Sequence, residues 1–338
     1  MRKEVSDFVI SNVSEHPQDI AAVTAAKFSI SRQTAVNYLK ALVSEGLINA
    51  AGTTRARKYN LRNFVDESYH ATVTPNMEED VVWREKMLPF TNGLKANIVD
   101  ICQYGFTEIF QNVIDHSESK TVLYGVKRNA VCVSVWVIDH GVGIFNKIQQ
   151  YFKLEDPRQA LLELAKGKLT SDPKRHSGEG IFFTSRMFDS FEILSKPLYY
   201  VRESVHDSDW LVESHGSEQK GTFVVMEISP FSQRTVKGVF DAYTSQDNFG
   251  FAKTHVPIKL ARYVSEQMVS RSQAKRILAR FEKFNEVLLD FTGVETIGQA
   301  FADEIFRVYA SEHPSVVIIA ANTTPNIDQM IQRARANL

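Results

Sequence analysis

The chain has 338 residues, 43% of them hydrophobic and 23% charged, with a net charge of −1. That length exceeds one ordinary small domain and points to two or three. The composition is that of a soluble globular protein, and a net charge near zero excludes a polycation drawn as a whole to nucleic acid.

Residues 1–62 hold nine Lys or Arg against five Asp or Glu, a local excess of four positive charges. The start, Met1 to Asp7, lacks the apolar core of a signal peptide, and a cytoplasmic location is expected. Val5, Phe8, Val9 and Val13 fall at helical spacing. An alanine-rich second helix runs from Ile20 to Phe28, and Ser31 is placed to cap a third, Arg32 to Glu45, which Gly46 ends. Leu47 and Ile48 open a strand, Ala51-Gly52-Thr53 turns it, and Arg57 to Leu61 returns. This order resembles a winged helix-turn-helix. The resemblance implies that the third helix enters the major groove of double-stranded DNA, with Ser31, Arg32, Gln33, Thr34 and Asn37 at its exposed start. Gln and Asn suit adenine there, and Arg suits guanine. Arg55, Arg57 and Lys58 in the wing would meet phosphates. Winged helices also dock proteins, so that reading stands beside DNA binding.

Residues 63–230 read as an α/β sandwich. A helical lead-in from Glu78 to Asp115 precedes strands at Thr121–Lys127 and Val131–Ile138. Helices follow near Ala160–Lys166 and Ile181–Phe188, with strands near Phe191–Leu194, Trp210–Ser214 and Gly221–Ile228. Cys102 and Cys132 have apolar neighbours and no partner at metal-ligand spacing, so they read as inert buried thiols.

Four short patterns in this segment carry chemistry. Phe106, Ile109, Phe110 and Val113 form one apolar helical stripe, with Glu108, Asn112 and Asp115 on another side. An amide oxygen is a hard ligand for Mg²⁺, and a carboxylate one turn away can orient or deprotonate a water; a solvated polar face has the same spacing. The run 131–138 is apolar on both faces, hence central, and leads into Asp139-His-Gly141-Val-Gly143. A buried aspartate needs a donor, for which the exocyclic amine of adenine is suited, and the glycines let backbone approach a flat base. A plain strand-ending turn reads the same way. Gly178 and Gly180 precede an apolar helix start, where backbone N–H groups can hold phosphate oxygens. Lys166, Lys168, Lys174 and Arg175 stand in the preceding stretch, able to approach a polyphosphate. Gly221-Thr222 puts a hydroxyl at the start of a later β-run.

In this order the four patterns resemble the ATP-binding fold shared by gyrase, the heat-shock chaperones, histidine kinases and mismatch-repair ATPases (the GHKL superfamily), over roughly residues 75–230. The 34 residues between Gly143 and Gly178 leave room for that family's lid. The resemblance implies ATP and Mg²⁺ as ligands. Asn112 would coordinate Mg²⁺, Asp139 would read the adenine amine, and Thr222 would support Asp139 through water. Gly141 and Gly143 would shape the base pocket, Gly178 and Gly180 the phosphate loop, and Glu108 occupies the place of the general base. Dimerisation is common in the superfamily, so a homodimer is expected by the same analogy.

Residues 231–338 alternate between a strand at Val256–Leu260, a helix at Arg271–Phe284, a strand at Val287–Phe291, a helix at Ala300–Ala310, a strand at Val316–Ala320 and a last helix from Asn326, a small α/β layer. The longest apolar run, Val316 to Ala321, is too short to cross a bilayer, and no membrane association is expected. Phe284 to Tyr309 looks like the core of STAS domains, the sulfate-transporter and anti-sigma-antagonist family, and specifically their STAS-like relatives of unknown function. Antagonists of that kind are phosphorylated on a serine at the start of the helix after the strand. Here the neighbourhood is Gly298-Gln299-Ala300, without a hydroxyl, and Thr296 is a poor substitute, so the resemblance implies docking of a regulatory protein instead.

The whole chain therefore reads as multidomain α/β: a winged helix (1–62), a GHKL-type sandwich (63–230) and a STAS-like domain (231–338). The expected function is an ATP-binding, hydrolysing regulator whose nucleotide state alters DNA binding. Two alternatives remain open. One is a protein serine/threonine kinase, because Asn112 to His116 is similar to the Asn-Ala-x-x-His helix of anti-sigma factors. The other is a non-catalytic docking module.

Overall fold

A computed structural model of the protein describes residues 2–53, 56–169, 177–204, 208–213, 220–245, 250–261 and 267–336. The N-terminal elements follow the local signals. Helices α1 (Lys3–Asn12), α2 (Ile20–Phe28) and α3 (Arg32–Ser44) precede an antiparallel hairpin of β1 (Ile48–Ala51) and β2 (Lys58–Leu61). Ser31 caps α3, its hydroxyl accepting from the Thr34 N–H at 3.0 Å. Val9, Val13, Ile20, Leu39, Leu42, Ile48 and Tyr59 close a core of their own.

The lead-in is not one helix. Strand β3 (Val65–Thr72) comes first, then α4 (Glu79–Val82), a π turn (Trp83–Met87) and a 3-10 turn (Leu88–Thr91), and only after a break α5 (Ala96–His116). Pro89 lies inside the expected helix and Asn92 leaves the helical region at ψ 131°, because proline removes an N–H and crowds the preceding turn. After α5 come β4 (Thr121–Arg128), β5 (Val133–Asp139), α6 (Ile144–Phe152), α7 (Pro157–Lys166) and α8 (Gly180–Met187), followed by β6 (Ser190–Ser195), β7 (Leu198–Glu203), β8 (Ser208–Glu213) and β9 (Phe223–Ile228). The seven strands run in the order β3-β4-β5-β9-β6-β7-β8, every neighbour antiparallel. Strand β5 has a partner on each side, which suits its unbroken apolar run. The residue expected to end the β8 strand, Ser214, lies outside the described residues.

Helix α9 (Val236–Tyr243) lies against α5 and α8: Phe240 meets Tyr104 edge-on at 5.6 Å and Phe183 at 4.2 Å. Asn97 on α5 also donates to the carbonyls of Ser232 and Arg234. The C-terminal sheet is parallel, β10 (Lys253–Pro257), β11 (Glu286–Asp290) and β12 (Val317–Ala321) in chain order. Between its strands come α10 (Arg271–Leu278), α11 (Gln299–Asp303) and, through a π turn (Glu304–Tyr309), α12 (Ala310–Glu312); α13 (Pro325–Arg335) ends the chain. Two expected bounds shift here. The first strand stops at Pro257, where Ile258–Ala261 coils into a 3-10 turn. Helix α10 stops at Leu278 because Ala279 is extended. Unlike the N-terminal elements, the seven-stranded and three-stranded layers share one continuous hydrophobic cluster, bridged by Phe251, 4.5 Å from Phe182 and 5.4 Å from Phe284. Among the described residues no helix is long and apolar enough to cross a membrane.

Candidate functional site

A cavity of about 310 Å³ opens between α5, α6, α7, α8 and the ends of β5 and β9. On α5 the apolar stripe of Phe106, Ile109, Phe110 and Val113 is buried. That packing fixes the helix rotation that brings Glu108 and Asn112, four residues apart, to the cavity. Asp115 is exposed on the far side, accepting from Gln111 at 2.6 Å.

Asp139 is the last residue of β5 and only 4% exposed. Its Oδ1 accepts from the Gly141 N–H at 2.7 Å. The Asp139 N–H donates to the Thr222 carbonyl at 2.9 Å, and Thr222 Oγ1 accepts from the Ile144 N–H at 3.0 Å. The two residues are thus joined through their backbones. Burial pushes the Asp139 carboxyl above the ordinary carboxylate value, opposed by the bonds from Gly141 and Thr222.

The glycines divide into two groups. Gly143, Gly178 and Gly180 line the cavity, whereas Gly141 stands behind the wall against the Ser117 carbonyl. Gly143 has φ 82°, and a Cβ there would lie 2.7 Å from Ser195 Oγ, so a side chain is excluded by both conformation and space. At Gly180, the first residue of α8, a Cβ would meet Glu108 Oε2 at 1.9 Å. The Glu108 carboxylate therefore sits at a helix N-terminus, where backbone dipoles favour negative charge. Burial, then the charges of Glu108 and Glu179, pushes the nearby Tyr104 hydroxyl up.

Several wall residues escaped the sequence reading: His116 and Ser117 at the end of α5, and Lys147, Ile148, Tyr151 and Phe152 on α6. The signal was present, since Ile144, Ile148 and Phe152 recur every fourth residue on one helix face. Lys147 is ion-paired with Glu118.

The basic stretch before Gly178 behaves differently from expectation. Lys166 is fully buried and turned away from the cavity, donating to Glu163 at 2.5 Å and to the Ala279 carbonyl at 2.9 Å. Lys168 donates to the Lys283 carbonyl at 2.7 Å. Both cations are drawn to the C-terminal layer by acceptors that lie more than a hundred residues away in sequence. Lys174 and Arg175 lie outside the described residues.

At the other end of the molecule Arg32, Gln33, Thr34 and Asn37 are exposed along the start of α3, and Arg57 and Lys58 are exposed on the hairpin. Gln33 donates to Asn37 at 3.2 Å. Arg55 lies outside the described residues. No group of three or more His, Cys, Asp or Glu able to hold a metal occurs among the described residues. Cys102 is buried and Cys132 half-buried, and burial is the main cause pushing each thiol up to about 12.

Residues 273–328 match the family model of the STAS-like domain of unknown function DUF4325, so the C-terminal layer carries a STAS-like domain. Comparison with curated proteins and with solved structures gave no match.

Proposed function

We propose that this chain binds Mg·ATP in the cavity between α5, β5 and α8 as a GHKL-type nucleotide module, and couples that state to DNA held by its N-terminal winged helix. The observation that carries the reading is Asp139: a buried carboxylate at the floor of an apolar-walled cavity, fixed by Gly141 and Thr222. The Gly141 N–H uses one of the roughly four acceptor directions of the carboxylate, which leaves room for the amine of a flat base. Ile109, Val137, Ile144 and Val224 supply apolar walls for such a base. The volume is at the lower end of the range for small-molecule sites.

The residues present also fit a magnesium–phosphate group. Asn112 offers a hard amide oxygen, and Mg²⁺ takes most of its other ligands from phosphates and water, so no dedicated carboxylate cluster is needed. Bound Mg²⁺ would supply charge neutralisation between phosphate oxygens. The chain's own part is to position. Gly178 and Gly180 bring backbone to the start of α8, and Glu108 stands beside them to hold or take a proton from water. The exposed set on α3, with Arg57 and Lys58 on the hairpin, supports the DNA half of the proposal.

The test is incubation with Mg²⁺ and ATP labelled on its γ-phosphate, beside Glu108→Ala. Release of free phosphate that falls at least a hundredfold in the variant, with ATP still bound, supports hydrolysis with Glu108 as base. Absence of saturable ATP binding by the native chain would overturn the nucleotide reading, and duplex-DNA affinity unchanged by ATP would overturn the coupling.

A further inference from the structure

A second cavity, of about 420 Å³, lies on the other side of α8 and shares no wall residue with the first. Arg186 from α8, Arg202 from β7 and Arg234 just before α9 all line it, and no described residue of its wall is acidic. Their charges are unequally matched. Arg202 pairs with Asp209 at 3.0 Å and Arg234 with Asp189 at 2.7 Å. Arg186 is 6% exposed and, among the described residues, bonded only to neutral acceptors: the Phe182 carbonyl and Ser185 hydroxyl at 3.1 Å each, and the Ala165 and His255 carbonyls at 3.4 and 3.5 Å. Its Nε is buried without a partner, and its guanidinium lies over the Phe182 ring at 3.4 Å. Among the described residues, Arg186 is thus the one of the three with no carboxylate bonded to it.

A buried guanidinium without a counter-charge is costly. Burial, followed by the charge of Arg202, holds the Arg186 pKa below its ordinary value. The N-terminal turn of α9 completes the wall, with Thr235 and Gly238 facing the cavity and the positive end of the helix dipole behind them.

We propose that this cavity is a second ligand site, for a small organic molecule bearing a phosphate group. Guanidinium groups bind oxyanions through charge-assisted hydrogen bonds, and Arg186 keeps a buried Nε–H to offer one. A planar carboxylate has two oxygens to offer three arginines and a helix start, whereas a tetrahedral phosphate presents three or more in different directions. The volume exceeds that of bare phosphate, and Val239, Ala242 and Tyr243 give it an apolar side for an organic remainder. A bound anion would also act beyond the cavity, because Arg186 bonds the Ala165 carbonyl on α7 and the His255 carbonyl on β10.

The full chain, free of nucleotide, is titrated with phenyl phosphate, inorganic phosphate and acetate at constant ionic strength, following heat of binding and melting temperature. Saturable binding with a rise in melting temperature is expected for both phosphates, tighter for phenyl phosphate, and neither for acetate. Arg186→Met should lose the response while melting no lower than the native chain in phosphate-free buffer, since it removes an uncompensated buried charge. Arg234→Gln, on a part-exposed side chain, should weaken phosphate binding at least tenfold. A native chain indifferent to both phosphates, or a response that Arg234→Gln leaves unchanged, overturns the proposal.

Discussion

Asp139 and Asp290 both end central strands, yet their surroundings drive them in opposite directions. For Asp139 burial dominates and raises the native value. Its contribution to stability is therefore present below the ordinary carboxylate value and lost as pH rises through the raised native one. Asp139→Asn should melt at or above the native chain at pH 7, with the difference vanishing as pH falls through the carboxylate range; a variant melting well below it at pH 7 would show that the carboxylate holds the turn together. The same exchange removes the negative charge from a charge-assisted bond worth about 1.5–3 kcal/mol and puts an amide donor beside the adenine amine, so calorimetric ATP affinity should fall about 10- to 100-fold. At Asp290 burial also pushes the carboxyl up, but bonds from His255, Asn322 and Thr292 outweigh it and hold it well below the carboxylate range. That stability is present above the unfolded carboxylate value and lost as pH falls through the depressed native one. Asp290→Ala leaves four donors, on His255, Asn322 and Thr292, without their acceptor, at a cost of about 1–3 kcal/mol at pH 7. Urea unfolding at pH 7 and at pH 3 should show the gap narrowing in acid; an equal gap at both would assign it to packing alone.

Helix α7 shows how an element acquires a role that its own sequence hides. Leu164 lines the first cavity, while Glu163 and Lys166, on neighbouring positions, face the C-terminal layer. Arg280 joins the two sides. It donates to Glu163 at 2.6 Å and to the carbonyls of Gly167 and Lys168, and its guanidinium lies 5.9 Å from the Phe152 ring on α6. Removing one partner of a buried ion network costs about 3–5 kcal/mol when it strands the opposite charge; loss of Glu163 strands Lys166 and Arg280, whereas loss of Lys166 leaves Glu163 paired with Arg280. Glu163→Ala should therefore destabilise by about that amount and Lys166→Met by much less in denaturant titrations; equal losses would mean that the network acts only by filling space. Sequence periodicity located α7 and the strands with strong alternation, because a helix or strand writes its own period. Strand β3 was not legible, since Asp66, Glu67 and Ser68 are all exposed and blur the alternation. The direction of Lys166 and Lys168 was not legible either, because their acceptors, the carbonyls of Ala279 and Lys283, carry no side-chain signature. The residues that gather at the first cavity were legible as separate motifs; that α6 roofs it was not, because its apolar face reads as ordinary core.

At the scale of the molecule the buried apolar groups fall into two clusters. The N-terminal helices and hairpin close their own core, whereas everything from β3 to α13 shares a single cluster. A unit of about 60 residues buries only about 60% of its unfolded surface and is marginal, so the N-terminal part should unfold first and separately. The seven-stranded and STAS-like layers should unfold together, because Phe251, Phe182, Phe183 and Phe284 interlock across their junction and cannot part without exposing one another. The three tryptophans, Trp83, Trp136 and Trp210, all stand between β3 and β9, with Trp210 also 5.5 Å from Lys259 of the C-terminal layer, so fluorescence reports chiefly on the seven-stranded layer. Leu39→Ala, in the small core, costs about 2–5 kcal/mol and should lower a transition seen in helical circular dichroism while leaving the tryptophan midpoint in place. Phe284→Ala, in the STAS-like layer, costs about 3–5 kcal/mol and should move the tryptophan midpoint although no tryptophan lies in that layer. A tryptophan midpoint unmoved by Phe284→Ala would mean that the two layers unfold independently, and that the contact through α7 is a docking surface rather than a shared core.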